Sequence, residues 1–259
     1  MKAKLTITCC LLAIMIMSFK PLGIQKNELQ TIVIDAGHGG GDVGCNYGGV
    51  FEKDVALNIA LQVGELINKM MPDVKVIYTR KTDVFIELWE RASIANRNNA
   101  DLFVSIHCNA NKKLEAYGTE TFAMGLHKSD ANLEVAKREN DVILLEKDYQ
   151  ERYEGFDPSS PEAHIYFSFM QSAYLEQSLK VASLVETNFV KKKRYSRGVK
   201  QAGLMVLWKS KMPSVLIETG FLSNKTERTY LTSPKGQDEL SDAIAASILE
   251  YKNKLEAVK

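Results

Sequence analysis

The chain has little cysteine, little proline and no excess of either charge, and each shortage removes a class of protein. Of four cysteines in 259 residues, Cys9 and Cys10 lie inside an N-terminal apolar run, leaving Cys45 and Cys108 downstream. Two thiols are no disulfide scaffold; small packing residues are expected, with a Cys45–Cys108 bridge as the alternative. Six prolines and the absence of repeats fit an ordered globule rather than a low-complexity chain. Lys and Arg number 33 against 32 Asp and Glu, a net charge of +1, so nothing points to nucleic acid or a strongly anionic surface. No His-Glu-x-x-His occurs. The glycine-rich run at 37–41 lacks both the Gly-Lys-Ser/Thr ending of a phosphate cradle and the spaced glycines of a dinucleotide site.

The amino terminus differs from the rest. Lys2 and Lys4 precede LTITCCLLAIMIMSF, fifteen uncharged residues closed by Lys20. That is shorter than the roughly 20 residues of a membrane span and matches a secretory leader. Residues 1–25 are therefore expected to be a signal peptide, cut between Ser18 and Lys26, and 26–259 a single domain with no stable membrane span, exported to the periplasm or cell envelope.

Along the chain, strands are expected at 31–35, 74–79, 102–107, 117–123, 204–208 and 214–219, and helices at 52–70, 86–98, 163–191, 225–231 and 237–255. Strands alternating with helices of this length imply βαβ units, hence an α/β fold with a largely parallel sheet whose ligands gather at the strands' carboxyl ends. The stretch 131–162 breaks the rhythm. It carries nine acidic and four basic residues and reads as a helical run at 132–147 followed by a loop at 148–162, a surface insertion. The basic run KKKRYSR after Lys191 reads as a solvated helix end.

Four polar residues stand where the buried sheet should open to solvent: His38, Glu52, His107 and Glu218. Two imidazoles and a carboxylate are a common catalytic zinc set, leaving one position for water. A further glutamate on a rigid strand end can move that water's proton. Spacing alone leaves the ligands open: His127 and His164 compete, and Asp35 is either a ligand or a bond partner of one. Glycines flanking His38 are expected to leave room for a ligand against the backbone.

At these residues the chain resembles the zinc-dependent N-acetylmuramoyl-L-alanine amidases, the cell-wall amidases of daughter-cell separation. IDAGHGGGDVG, GGVFEKDVALNIA, VIYTRKTDVFIELWERASIAN, DLFVSIHCNA and VLIETGFLSN follow one another in the family's order and cover nearly all of 31–231. The resemblance implies a mostly parallel six-stranded sheet flanked by helices. It implies one zinc ion (Zn2+) held by His38, Glu52 and His107, with Glu218 as the catalytic residue. The reaction implied is hydrolysis of the amide between the lactoyl group of N-acetylmuramic acid and the L-alanine of the peptidoglycan stem peptide. Arg80, Arg91 and Asn109 fall in family blocks too, as substrate contacts or as braces of strand ends. In some relatives an inserted helix covers the zinc until an activator protein withdraws it. Here Glu134, Glu139 and Glu146 are the candidate plugs, and sequence does not choose among them. A zinc peptidase or carboxypeptidase acting on wall peptides is the alternative, and a noncatalytic peptidoglycan-binding protein a further one.

Overall fold

A computed structural model describes residues 28–168 and 174–257. The expected leader, with Cys9 and Cys10, lies outside the described residues. In chain order the strands are β1 (Thr31–Ala36), β2 (Asn46–Tyr47), β3 (Val50–Phe51), β4 (Lys75–Tyr78), β5 (Leu102–Asn109), β6 (Thr119–Met124), β7 (Ser196–Ala202) and β8 (Ser214–Phe221). The α-helices are α1 (Glu52–Met70), α2 (Leu88–Arg97), α3 (Asp130–Asn140), α4 (Tyr149–Arg152), α5 (Pro161–Ser168), α6 (Leu175–Lys191), α7 (Met205–Trp208), α8 (Lys225–Leu231) and α9 (Pro234–Glu256).

Six strands form one sheet in the order β4-β1-β5-β8-β6-β7, parallel except where β6 runs antiparallel to β8. The central strands β5 and β8 are buried along their whole length, which is why they read as near-continuous apolar runs rather than alternating ones. On one face Ile34, Val104 and Ile217 pack with Ile59 of α1, Phe189 of α6 and Ile244 of α9. On the other, Val33, Phe103 and Leu216 pack with Leu88, Val135, Ile143, Tyr153 and Phe156. Among the described residues no helix is long and apolar enough to cross a membrane.

Four expectations are corrected. LMVLW is not a strand: Met205–Trp208 is one helical turn, an ambiguity that a short apolar run always carries. The sixth strand is β7, drawn from the basic stretch expected to be a helix end; its half-buried edge position tolerates Arg197 and Lys200. The helix expected over 163–191 begins earlier and is described as α5 and α6, Tyr174 preceding the second; residues 169–173 lie outside the described residues. The insertion at 131–162 is not a surface excursion either. Val135, Ala136, Val142, Ile143, Tyr153 and Phe156 are all buried and build the second core.

Candidate metal centre

The chain reaches the site from three strand ends. After β1 it turns through Gly37 into His38, whose backbone is left-handed (φ 60°). Arg91 holds that turn by donating Nη2 to the His38 carbonyl at 2.8 Å, and Arg80 by donating Nη2 to the Gly37 carbonyl at 2.7 Å. Both arginines thus brace the histidine loop. Asp35 is neither ligand nor partner of one: it accepts from Arg91 Nη1, Thr79 and Ser105. Burial pushes its pKa up, but Arg91 and the two hydroxyls outweigh that and hold it below the usual carboxylate range. The bond to a cluster imidazole comes instead from Asp42, whose Oδ2 lies 2.8 Å from His38 Nδ1 and so fixes the ring orientation.

Glu52 opens α1, where the helix's free N–H groups favour a carboxylate. Its Oε2 accepts from Cys45 N at 2.9 Å and its Oε1 from Cys108 N at 3.0 Å. That same Oε1 lies 3.0 Å from His38 Nε2 and 3.1 Å from His107 Nδ1. His107 ends the apolar part of β5 and pairs across the ladder with Glu218 on β8. A fourth group comes from the insertion: Glu139 Oε2 stands 3.0 Å from His107 Nδ1 and 3.5 Å from His38 Nε2. One ligand atom from each of His38, Glu52, His107 and Glu139 falls within 4.8 Å of the others, all four residues buried.

Buried His38 Nε2, Glu139 Oε2 and Glu218 Oε2 have no hydrogen-bond partner. Two imidazoles and two carboxylates converging within 4.8 Å, with His38 Nε2 and Glu139 Oε2 unpartnered, fit a divalent cation such as zinc. Without one, the charges balance among themselves. Burial lowers the His107 pKa, but Glu139 and then Glu52 pull it up to about 9; His38 is raised well above its usual value despite burial, chiefly by Glu52. Glu139 is held well below the carboxylate range by His107 and Arg138 against its own burial. Glu218 is raised well above it by burial and by Glu139.

Glu139 lies in the last turn of α3, at the negative end of the helix, where an ionised carboxylate is disfavoured. His107, with Arg138 Nη2 2.9 Å from Glu139 Oε1, offsets that cost. Glu134 and Glu146 do not reach the cluster. Glu134 is exposed, and Glu146 accepts from Leu88 N at 2.7 Å and from the Tyr153 hydroxyl, tying the insertion to the start of α2. Free space beside His38, His107 and Glu139 amounts to about 10 Å³, room for about one water.

Asn109 turns from the cluster to donate Nδ2 to Glu120 Oε1. His127 follows β6 outside the cluster, and the His164 side chain is outside the described residues. Cys45 and Cys108 are free; Cys45 Sγ points to the Cys108 carbonyl at 3.5 Å. Burial, then Glu52, pushes both thiols up, so they stay protonated packing groups. Two of the glycines make room for the cluster's own side chains. A Cβ on Gly37 would strike the His107 ring, and one on Gly44 would sit 2.7 Å from both Glu52 Oε2 and His38 Cδ2. Asp42, Arg138 and Glu139's choice over its neighbours were missed from sequence; the only cue for Asp42 was a carboxylate four residues after His38.

Comparison with known proteins converges on one description. The N-acetylmuramoyl-L-alanine amidase family model matches residues 32–250. AmiC of Escherichia coli O6:H1, an N-acetylmuramoyl-L-alanine amidase, is 36% identical over 228 residues, 85% of this chain and 52% of that protein; the chain spans about half of its length. AmiA of Escherichia coli K12 is 30% identical over 242 residues, 90% of this chain and 79% of that one. The crystal structure of the N-acetylmuramoyl-L-alanine amidase from Clostridium difficile 630 superposes with a TM-score of 0.64 at 29% identity, covering 87% of this chain and 98% of that one.

Proposed function

The chain belongs to the N-acetylmuramoyl-L-alanine amidase family, and from that premise we propose that it hydrolyses the bond between the lactoyl carbonyl of N-acetylmuramic acid and the L-alanine nitrogen of peptidoglycan stem peptides. In this reading His38, Glu52 and His107 hold one zinc ion and Glu218 is the catalytic acid–base. The observation that carries it is the convergence of His38, Glu52, His107 and Glu139 on one buried point at the sheet's carboxyl edge, with His38 Nε2 and Glu139 Oε2 unpartnered.

Zinc, when bound, supplies Lewis acidity toward the amide carbonyl and toward water. The protein's share follows from its own geometry. Asp42 and the Cys45 and Cys108 amides lock His38 and Glu52 in their orientations, so the site is rigid before substrate arrives. Glu218 lies on β8 beside His107. Its unpartnered Oε2 accepts the proton of the attacking water and returns it to the alanine nitrogen as the C–N bond breaks. Burial raises its pKa, which favours a carboxyl that can give a proton back.

Glu139 stands where substrate and water would have to enter. We read α3 as an autoinhibitory helix that must be withdrawn, by an activator protein, before turnover. The same reading has the chain exported, with 1–25 as leader and 26–259 as the catalytic domain working on wall peptidoglycan. The test is digestion of purified peptidoglycan by the zinc-loaded chain, with and without Glu139→Ala. Peptides bearing a new L-alanine amino terminus are the expected product; cleavage confined to free peptides would replace the amidase with a peptidase.

A further inference from the structure

A row of polar side chains crosses one face of the sheet beyond the metal cluster: Asn109 on β5, Glu218 on β8, Glu120 on β6 and Arg197 on β7. Glu120 and Glu218 are directly opposed in the antiparallel pair, so their side chains leave the sheet on the same face. Asn109 Nδ2 donates to Glu120 Oε1, and Arg197 Nε donates to Glu120 Oε2 at 3.4 Å. Chemistry at the metal uses Glu218 and leaves Glu120 and Arg197 without a task.

The backbone at Arg197 is built to aim it. Thr119 pairs with Ser196 and Thr121 with Val199, so Arg197 and Gly198 together oppose Glu120. This is a β-bulge, a device that turns a side chain toward a site, and Gly198 supplies the left-handed φ of 86° it requires. From the opposite face Glu186 of α6 accepts from Thr119, Thr121 and Ser196, pinning both strands beside the bulge. Arg197 is about a third exposed (32%). Its Nη1 makes one long contact to the Tyr117 carbonyl at 3.5 Å, and its Nη2 has no protein partner among the described residues. Exposed Tyr117 and Tyr195, rings 5.0 Å apart, stand beside it. The Arg197 Cζ lies 5.1 Å from the Phe221 ring centroid, and a guanidinium edge left open in this way matches a carboxylate.

We propose that Arg197 is a specificity-determining residue that binds a carboxylate on the stem-peptide residue following L-alanine; this rests on the amidase reading. The spacing agrees. Adjacent strands lie about 4.8 Å apart, and extended peptide advances about 3.3 Å per residue. Arg197, folded back over Glu120, reaches to about one strand from Glu218, where the residue after the scissile nitrogen would lie. Glu120 sharpens the selection: without Arg197 its charge would face the incoming carboxylate and repel it.

The experiment compares soluble N-acetylmuramoyl peptides that differ only in a free carboxylate or a primary amide on that second residue. Zinc-loaded full-length chain is used, in parallel with its Glu139→Ala form so that a closed site is not mistaken for an inactive one. The carboxylate substrate is expected to be favoured about tenfold in kcat/KM. Arg197→Gln should abolish the preference by raising KM for that substrate, with kcat and the amide substrate changed less than about twofold. Arg197→Lys should retain part of the preference. Equal losses on both substrates, or a preference that survives Arg197→Gln, would overturn the assignment while the amidase reading stands. If neither form of the chain cleaves either substrate, the amidase reading falls and this inference with it.

Discussion

Arg138 Nη2 lies 3.2 Å from Glu218 Oε1, so the helix whose next residue enters the histidine–glutamate cluster also grips Glu218, the proposed acid–base. Consecutive residues of α3 thus engage both halves of the proposed machinery: Glu139 the histidines, Arg138 Glu218. Arg138 is anchored in turn on the Ala110 carbonyl at 3.1 Å. Withdrawing one turn of one helix would free both at once.

Glu139→Ala should therefore raise activity on purified cell wall, by about tenfold if the coupling has the usual size. Glu134→Ala, on the exposed face, should leave it unchanged. A point substitution is cleaner than deleting 132–160, because Val135, Ile143, Tyr153 and Phe156 would leave the core with the deleted segment. Lower activity in Glu139→Ala at unchanged zinc content would end the autoinhibition reading.

Glu218→Gln keeps the shape of the side chain and removes its proton chemistry. Turnover should fall by about 10²–10⁴-fold while bound zinc, measured by elemental analysis, stays at one ion per chain. His107→Ala should lose the metal as well. Glu218→Gln with near-normal turnover would reassign the acid–base.

Zinc binding should release protons. In the metal-free chain Glu139 and Glu52 raise the His107 pKa to about 9, and that of His38 is raised too, so metal must displace imidazole protons. Calorimetry in buffers of different ionisation enthalpy should show net proton release on zinc binding at about pH 7, falling as pH passes about 9. The linked stability has the matching sign. A raised histidine pKa contributes fully below its unfolded value of 6.5, and that contribution fades as pH rises through about 9. The metal-free melting temperature should decline over that interval.

The Asp35–Arg91 pair, 2.8 Å apart and buried, predicts a different pH limb. Removing one partner strands a buried charge, so Asp35→Ala should cost about 3–5 kcal/mol in urea unfolding. Because the Asp35 pKa is lowered from 3.8, its contribution is complete above that value. It is lost as pH falls through the lower folded one, a loss that Asp35→Asn should not show.

How far the sequence could be read depended on where the defining contacts lay. That His38, Glu52 and His107 meet was legible, because each histidine follows a buried β-branched run that stops at a polar residue and Glu52 heads an apolar-periodic helix; Glu218 carries the same mark on β8 beside His107. Glu139 was not separable from Glu134 and Glu146, since helix phase against a distant histidine pair leaves no local mark. Asp35 looked like the partner of a ligand and Asp42 did not, yet the turn after His38 brings the latter round to Nδ1. β7 escaped because an edge strand carrying Arg and Lys imitates a solvated helix end.

Gly37 and Gly44 carry a consequence for any survey of tolerated substitutions. Neither offers an atom to a metal or a substrate, yet a single methyl at either would displace the His107 ring or crowd the His38 and Glu52 side chains. In a saturation screen these two positions should rank with the histidines themselves. Their fingerprint differs: at Gly37 and Gly44 any side chain, whatever its chemistry, would crowd the cluster, whereas at the proposed ligand positions a replacement that keeps a donor can retain metal.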